Sequence, residues 1–217
     1  MEADQSRFTL RTLLSHTFSL SVANRWRIAI AFVVLCALGV LTDVKYDGSS
    51  ENLLFIMVYL LFQIWLTGAI LKEAVGMESV ARGAGSAIGA SMLSWFAIFF
   101  GLVLVIVPGL VALVRWSMVV PVALADRVGA IEAMRRSWHR SAGHFWQILG
   151  LLMLVYVPVF GASSFLANIV VGGTLPVLLD IAGNAVLVSG FILGWHASLA
   201  LFFAGEPHLS GLQEVFA

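Results

Sequence analysis

Arg115, Asp180 and Asn184 are polar side chains set inside strongly apolar runs, and their types and placement are the first that could do chemistry. Ionisable groups in such runs are costly and mark functional or register-setting pairs. Arg115 lies five residues into the run that starts at Leu110, about 7–8 Å along a helix at 1.5 Å per residue. Asp180 and Asn184 are one helical turn apart and share a face, at a depth that brackets Arg115 when both runs are entered from the same side. The expectation is an intramembrane cluster in which Arg115 pairs with Asp180 beside Asn184. Fixing helix register is its plainest role, and gripping a lipid phosphate with Arg115 is the alternative. Gln63 and His196 stand alone in their runs and read as interhelical hydrogen-bond formers.

Other chemistry finds little footing. No Gly-x-Ser-x-Gly, His-Glu-x-x-His or Gly-rich phosphate loop with Lys and Ser/Thr occurs. His139 and His144 are five apart and fall on different faces, with Glu132 the one acid nearby, so no metal site is expected. Cys36 is the single cysteine, which excludes an intrachain disulfide or thiolate cluster. A chain that is not an enzyme and needs no cofactor is the expectation.

The elements that must position these residues follow from composition. Of the 217 residues 60% are hydrophobic and 11% charged, with mean hydropathy +0.99. A soluble domain carries roughly 25% charged residues, so too few charges remain to cover a water-facing surface. A spanning helix needs about 20 mostly apolar residues, and six such runs are present: 28–42, 53–71, 87–107, 110–125, 145–171 and 177–204. Pro108-Gly109 separates the third from the fourth and suits a tight hairpin. Pro158 and Gly161 predict a kink in the fifth. The sequence thus predicts an all-α, polytopic membrane protein of six transmembrane helices forming a single membrane domain over 1–217.

Charge sets the expected orientation. With the N-terminus inside, ten of the 12 Lys and Arg residues fall on the inner side, Lys45 falls outside, and Arg115 lies within a span. Arg7, Arg11, Arg25 and Arg27 precede the first run, which reads as a retained signal anchor rather than a cleaved leader. Both termini are therefore expected in the cytoplasm, with Trp26, Trp138 and Trp146 at the inner headgroup level.

Two cytoplasmic segments read as basic amphipathic helices. In 6–26, Leu10, Leu13, Leu14 and Phe18 oppose Arg7, Arg11 and Ser15; in 127–144, Val128, Ile131, Met134 and Trp138 oppose Arg136, His139 and Arg140. Such helices suit anionic lipid, which nominates Arg7, Arg11, Arg135, Arg136 and Arg140 as headgroup contacts. Alternatively they pack on the protein's own cytoplasmic end and the arginines set topology. Ser21-x-x-Asn24-x-Trp26-x-Ile28 recurs 120 residues on as Ser141-x-x-His144-x-Trp146-x-Ile148, as a duplicated unit would. Small residues at four-residue intervals, Gly190, Gly194 and Ser198, and Gly85 with Gly89, favour close helix approach within the chain or in a homo-oligomer.

The stretch Pro108-Gly109, Arg115-Trp116-Ser117, Pro121 and Gly129-Ala130-Ile131-Glu132-Ala133-Met134-Arg135-Arg136-Ser137-Trp138 resembles the membrane domain attached to some bacterial glycerophosphodiester phosphodiesterases, and related stand-alone inner-membrane proteins. The likeness covers roughly residues 6–160, with 108–138 its specific part; Asp126-Arg127 departs from the glutamate often found there. The resemblance implies a bacterial inner-membrane location and a link to phospholipid metabolism. The phosphodiesterase chemistry itself belongs to a separate soluble domain, for which the short hydrophilic segments here leave no room. The functional expectation is a non-catalytic module that binds membrane phospholipid or a protein partner. The alternative is a small-solute or lipid transporter; nucleic acid is not an expected partner.

Overall fold

The computed structural model describes residues 8–45, 52–76, 80–169 and 176–206, all of them helical or in short turns. The helices are α1 (Leu10–Ala23), α2 (Arg25–Lys45), α3 (Asn52–Val75), α4 (Ala81–Leu104), α5 (Ile106–Arg115), α6 (Val119–Asp126), α7 (Ala130–Arg140), α8 (Phe145–Ile169) and α9 (Pro176–Ala204). Five stretches are long and apolar enough to cross a membrane: Phe55–Val75, Gly83–Leu104, Ile106–Asp126, Phe145–Leu166 and Ile181–Ala204. The α1–α2 pair raises the number to six. The molecule is an all-α, multi-span membrane protein.

α1 and α2 meet at 82°, so α1 lies across the end of the bundle. Asn24 makes the corner: its amide donates to the Leu20 carbonyl at 2.9 Å and its Oδ1 accepts from Arg27 at 2.7 Å. Arg27 in turn pairs with Glu73 at the end of α3. Phe8 stacks on His144 with ring centroids 3.8 Å apart. Arg140 of α7 pairs with Glu206 just past α9. These contacts gather α1, α7 and the ends of α2, α3, α8 and α9 at one pole, here called the basic end. Trp26 and Trp146 are each 76% exposed there, and Trp138 is also exposed, as a headgroup-level aromatic belt requires.

The apolar faces read from sequence in α1 and α7 are divided differently by the fold. α1 buries Leu13, Thr17, Leu20 and Asn24 against α9 and α8 and turns Leu10, Phe18 and Val22 outward. α7 buries Ala133, Ser137 and the following Ser141, while Ile131 and Trp138 face out. α7 therefore packs on the protein through its smaller residues and α1 through Leu13, Thr17 and Leu20, and both present large apolar side chains to their surroundings. A helix seated at an interface satisfies two apolar environments at once, which a single-face reading overlooks.

The fourth span differs from the expected continuous 110–125. The chain turns at Val105, whose extended backbone (φ −152°, ψ 118°) separates α4 from α5, and Pro108-Gly109 lies inside the first turn of α5. Proline is harmless there because its missing N–H has no intrahelical partner in any case. Gly109 is required for a different reason: a Cβ on it would stand 2.5 Å from the Leu102 amide nitrogen, and one on Gly101 would stand 2.8 Å from the Gly109 Cα. The hairpin is closed by backbone touching backbone.

A second interruption, at Trp116 to Met118, parts α5 from α6. Pro121 supplies a cause. It lacks the N–H that would bond the carbonyl four residues back, and its ring crowds that carbonyl, which belongs to Ser117. The freed Ser117 carbonyl accepts from the Ser198 hydroxyl of α9 at 2.6 Å. Val119 N–H bonds to Trp116 in place of Arg115, so the Arg115 carbonyl is also free and accepts from Ser137 of α7 at 2.7 Å.

Candidate functional site

The Arg115 side chain follows its carbonyl toward α7. Its guanidinium carbon lies 5.2 Å from the Trp138 ring centroid, and Nη1 donates to the Trp138 carbonyl at 3.5 Å. Asn184 sits elsewhere, with its carboxamide against Gly39 of α2 where a Cβ would otherwise be. Ser198, level with Ser117, is fourteen residues along α9 from Asn184, about 21 Å at 1.5 Å per residue. The fold thus holds Arg115 and Asn184 apart, and the helix carries Asp180 a further turn away; the Asp180 side chain lies outside the described residues. The expected Arg115–Asp180 pair assumed an unbroken span entered from the far end. The break at Trp116 and the return of α7 instead place Arg115 near the basic end.

The arginines of α7 form a network of their own. Asp126 accepts from Arg136 at 2.7 Å and from Arg140 at 3.2 Å. Glu132 accepts from Arg135 at 2.8 Å and from Arg136 at 2.9 Å. These bonds, first from Arg135 and then from Arg136, hold the Glu132 carboxyl down at about 2. Arg136 and Arg140 are thereby directed at protein carboxylates, as in the packing alternative, whereas Arg11 is exposed. Arg7 lies outside the described residues.

A feature that the sequence reading missed lies between the spans. α3, α4, α5, α6, α8 and α9, with the Trp116–Ser117 turn, surround a partly open cavity of about 700 Å³, within the roughly 300–1,000 Å³ range of small-molecule sites. Its lining is mainly aliphatic and aromatic and, among the described residues, contains no Asp, Glu, Lys, Arg or His.

Polar groups form a band across it. Trp195 Nε1 donates to the Tyr59 hydroxyl at 2.9 Å, and the Tyr156 hydroxyl reaches Gly194, which has no Cβ to obstruct it. Gln63 stands one turn from Tyr59 on α3, and Ser91 and Ser94 face the same space from α4. Ser94 donates to the Ala90 carbonyl at 2.7 Å. Ser91 is 3% exposed and its hydroxyl has no hydrogen-bond partner. Beyond the band, Ile98, Leu102, Leu110 and Phe160 carry a mainly apolar wall away from the basic end, with Ser164 the polar residue in it.

Gln63 was legible as an intramembrane polar residue but not as part of a wall, because its partners in the band come from three other helices. His196, by contrast, is fully buried with Nδ1 at 2.8 Å from the Ile192 carbonyl, and it does not line the cavity. Of the small-residue rows, Gly190 and Gly194 receive Val159 and Tyr156 of α8, whereas Gly85 has nothing within 4 Å. Among the described residues no three His, Cys, Asp or Glu side chains gather as a metal site would need.

No family model matches the chain, and no curated protein or solved structure matches it either. The likeness of residues 108–138 to a phosphodiesterase-linked membrane domain rests on those residues alone. What the helices, their lengths and their apolar surfaces establish is a multi-span helical membrane protein with a partly open cavity that no charged side chain lines among the described residues.

Proposed function

We propose that this protein is a non-catalytic membrane module that binds a membrane lipid, with the hydrocarbon chain lodged in the cavity between α4, α5, α8 and α9. The observation that carries this reading is the cavity's size and chemistry. The cavity is partly open to its surroundings, and its mostly apolar wall favours hydrocarbon over water. An ion or charged solute is disfavoured, since burying an unpaired charge there would cost several kcal/mol. At the basic end, the exposed Arg11 and Lys72 beside Trp26 and Trp146 suit anionic phospholipid headgroups in the surrounding leaflet. The same asymmetry supports a cytoplasmic basic end in a bacterial inner membrane, which labelling of single cysteines placed at Ser15 and at position 48 from either side would check.

The test is native mass spectrometry of protein released from nanodiscs. Wild type should retain one lipid adduct. Gly161→Phe should lose it, because Gly161 lines the cavity and a side chain there starts in open space. A bare protein mass for wild type would overturn the reading.

A further inference from the structure

We infer that the lipid held in the cavity is uncharged: a hydrocarbon chain ending in a hydroxyl or ester, of the diacylglycerol or long-chain alcohol class. This rests on the lipid-binding reading and adds the headgroup. Inside a bilayer the hydrocarbon surroundings are as apolar as the cavity wall, so exchanging one for the other selects no particular lipid. Selection must come from the polar band. That band offers the Tyr59 and Tyr156 hydroxyls, the Gln63 amide and the unpartnered Ser91 hydroxyl, all neutral donors and acceptors that match a hydroxyl or ester oxygen.

Among the described residues no cationic side chain lines the cavity, so a phosphate inside it would find no counter-charge in the wall. Arg115, whose neighbours Trp116 and Ser117 line the cavity, directs its guanidinium to Trp138 on α7. Arg136 and Arg140 bond Asp126. Depth points the same way. Ser91 is ten residues into α4 from its basic end, about 15 Å along the helix, and so about half the thickness of a 30 Å hydrocarbon core. A polar group bound there is withdrawn from the headgroup layer, a position open to a neutral glycerol hydroxyl and closed to a phosphodiester. The apolar extension from Ile98 to Leu102 and Phe160 then takes the chain.

The experiment places the full chain in dioleoyl phosphatidylcholine nanodiscs doped, at equal mole fraction, with dioleoylglycerol, oleyl alcohol or dioleoyl phosphatidylglycerol, and weighs the retained adducts by native mass spectrometry. Wild type should retain dioleoylglycerol or oleyl alcohol about tenfold over phosphatidylglycerol, the ratio that one or two well-made neutral hydrogen bonds provide. The pair of neutral probes tells which of the two sources of the hydroxyl is preferred. Gln63→Leu with Ser91→Ala should bring the ratio near one while an adduct persists, and Gly161→Phe should remove every adduct. Equal retention, or preference for phosphatidylglycerol or phosphatidylcholine, in wild type would overturn the inference and leave lipid binding intact. Absence of any adduct would overturn both.

Discussion

Gly109→Ala should be among the more damaging single-methyl additions in this protein. The new Cβ would sit 2.5 Å from the Leu102 nitrogen, about 1 Å inside normal contact of ~3.5 Å. The obstruction is backbone on a packed helix, so no side chain can rotate away. Overpacking of this kind costs about 1–3 kcal/mol, and alanine returns at most ~1 kcal/mol of helix propensity, for a net loss of about 0–2 kcal/mol. Gly101→Ala meets the Gly109 Cα at 2.8 Å and should cost a similar amount. The double variant should cost less than the sum, since relieving one clash opens space for the other. Gly85→Ala is the control: with nothing within 4 Å it should be neutral or stabilising by up to ~1 kcal/mol. Reversible unfolding in mixed micelles, read by circular dichroism, ranks the four proteins. A Gly109→Ala protein as stable as Gly85→Ala would refute the close α4–α5 crossing and the reason given for Pro108-Gly109.

Asp126→Asn removes the shared carboxylate of Arg136 and Arg140 and should destabilise the basic end by about 1–3 kcal/mol, between exposed and buried pairs. Loss of α7 hydrogen-exchange protection would report it, and an unchanged profile would count against the network. Glu132, held at about 2 against an ordinary 4.5, contributes stability above pH 4.5 that fades as pH falls toward 2. Infrared titration of isotope-labelled glutamate should show one carboxylate surviving to about pH 2, and protonation near 4.5 would contradict the Arg135 and Arg136 bonds. Tyr59→Phe leaves the buried Trp195 N–H without its acceptor and should cost about 1–3 kcal/mol, whereas Trp195→Phe,Tyr59→Phe together should show coupling in a double-mutant cycle. Single-tryptophan variants keeping Trp26 or Trp146 should be quenched by headgroup-level spin labels, and one keeping the buried Trp195 should not; equal quenching would displace the aromatic belt.

Class and helices were legible because they depend on composition and on local runs. A chain 11% charged has no means of covering itself against water, and twenty apolar residues in a row have few options beyond a spanning helix. The exposed positions of Trp26 and Trp146 and the packing of Gly190 and Gly194 also answer to local pattern. The amphipathic segments were legible as elements but not in their facing. Ala133, Ser137 and Ser141 carry little hydrophobic signal, yet they are the residues small enough to let α7 reach the freed Arg115 carbonyl.

The sequence by itself determined that this protein lives in a membrane, that it crosses with several helices, and which end gathers positive charge, since each is a sum over neighbouring residues. Tertiary structure decided where Arg115 points, which arginines are taken up by Asp126 and Glu132, and that Tyr59, Gln63, Ser91, Tyr156 and Trp195 face one space. Those outcomes depend on the angle at the Pro121 break and on the crossing of six helices. A cavity is the volume left between elements, and no single run of residues encodes it.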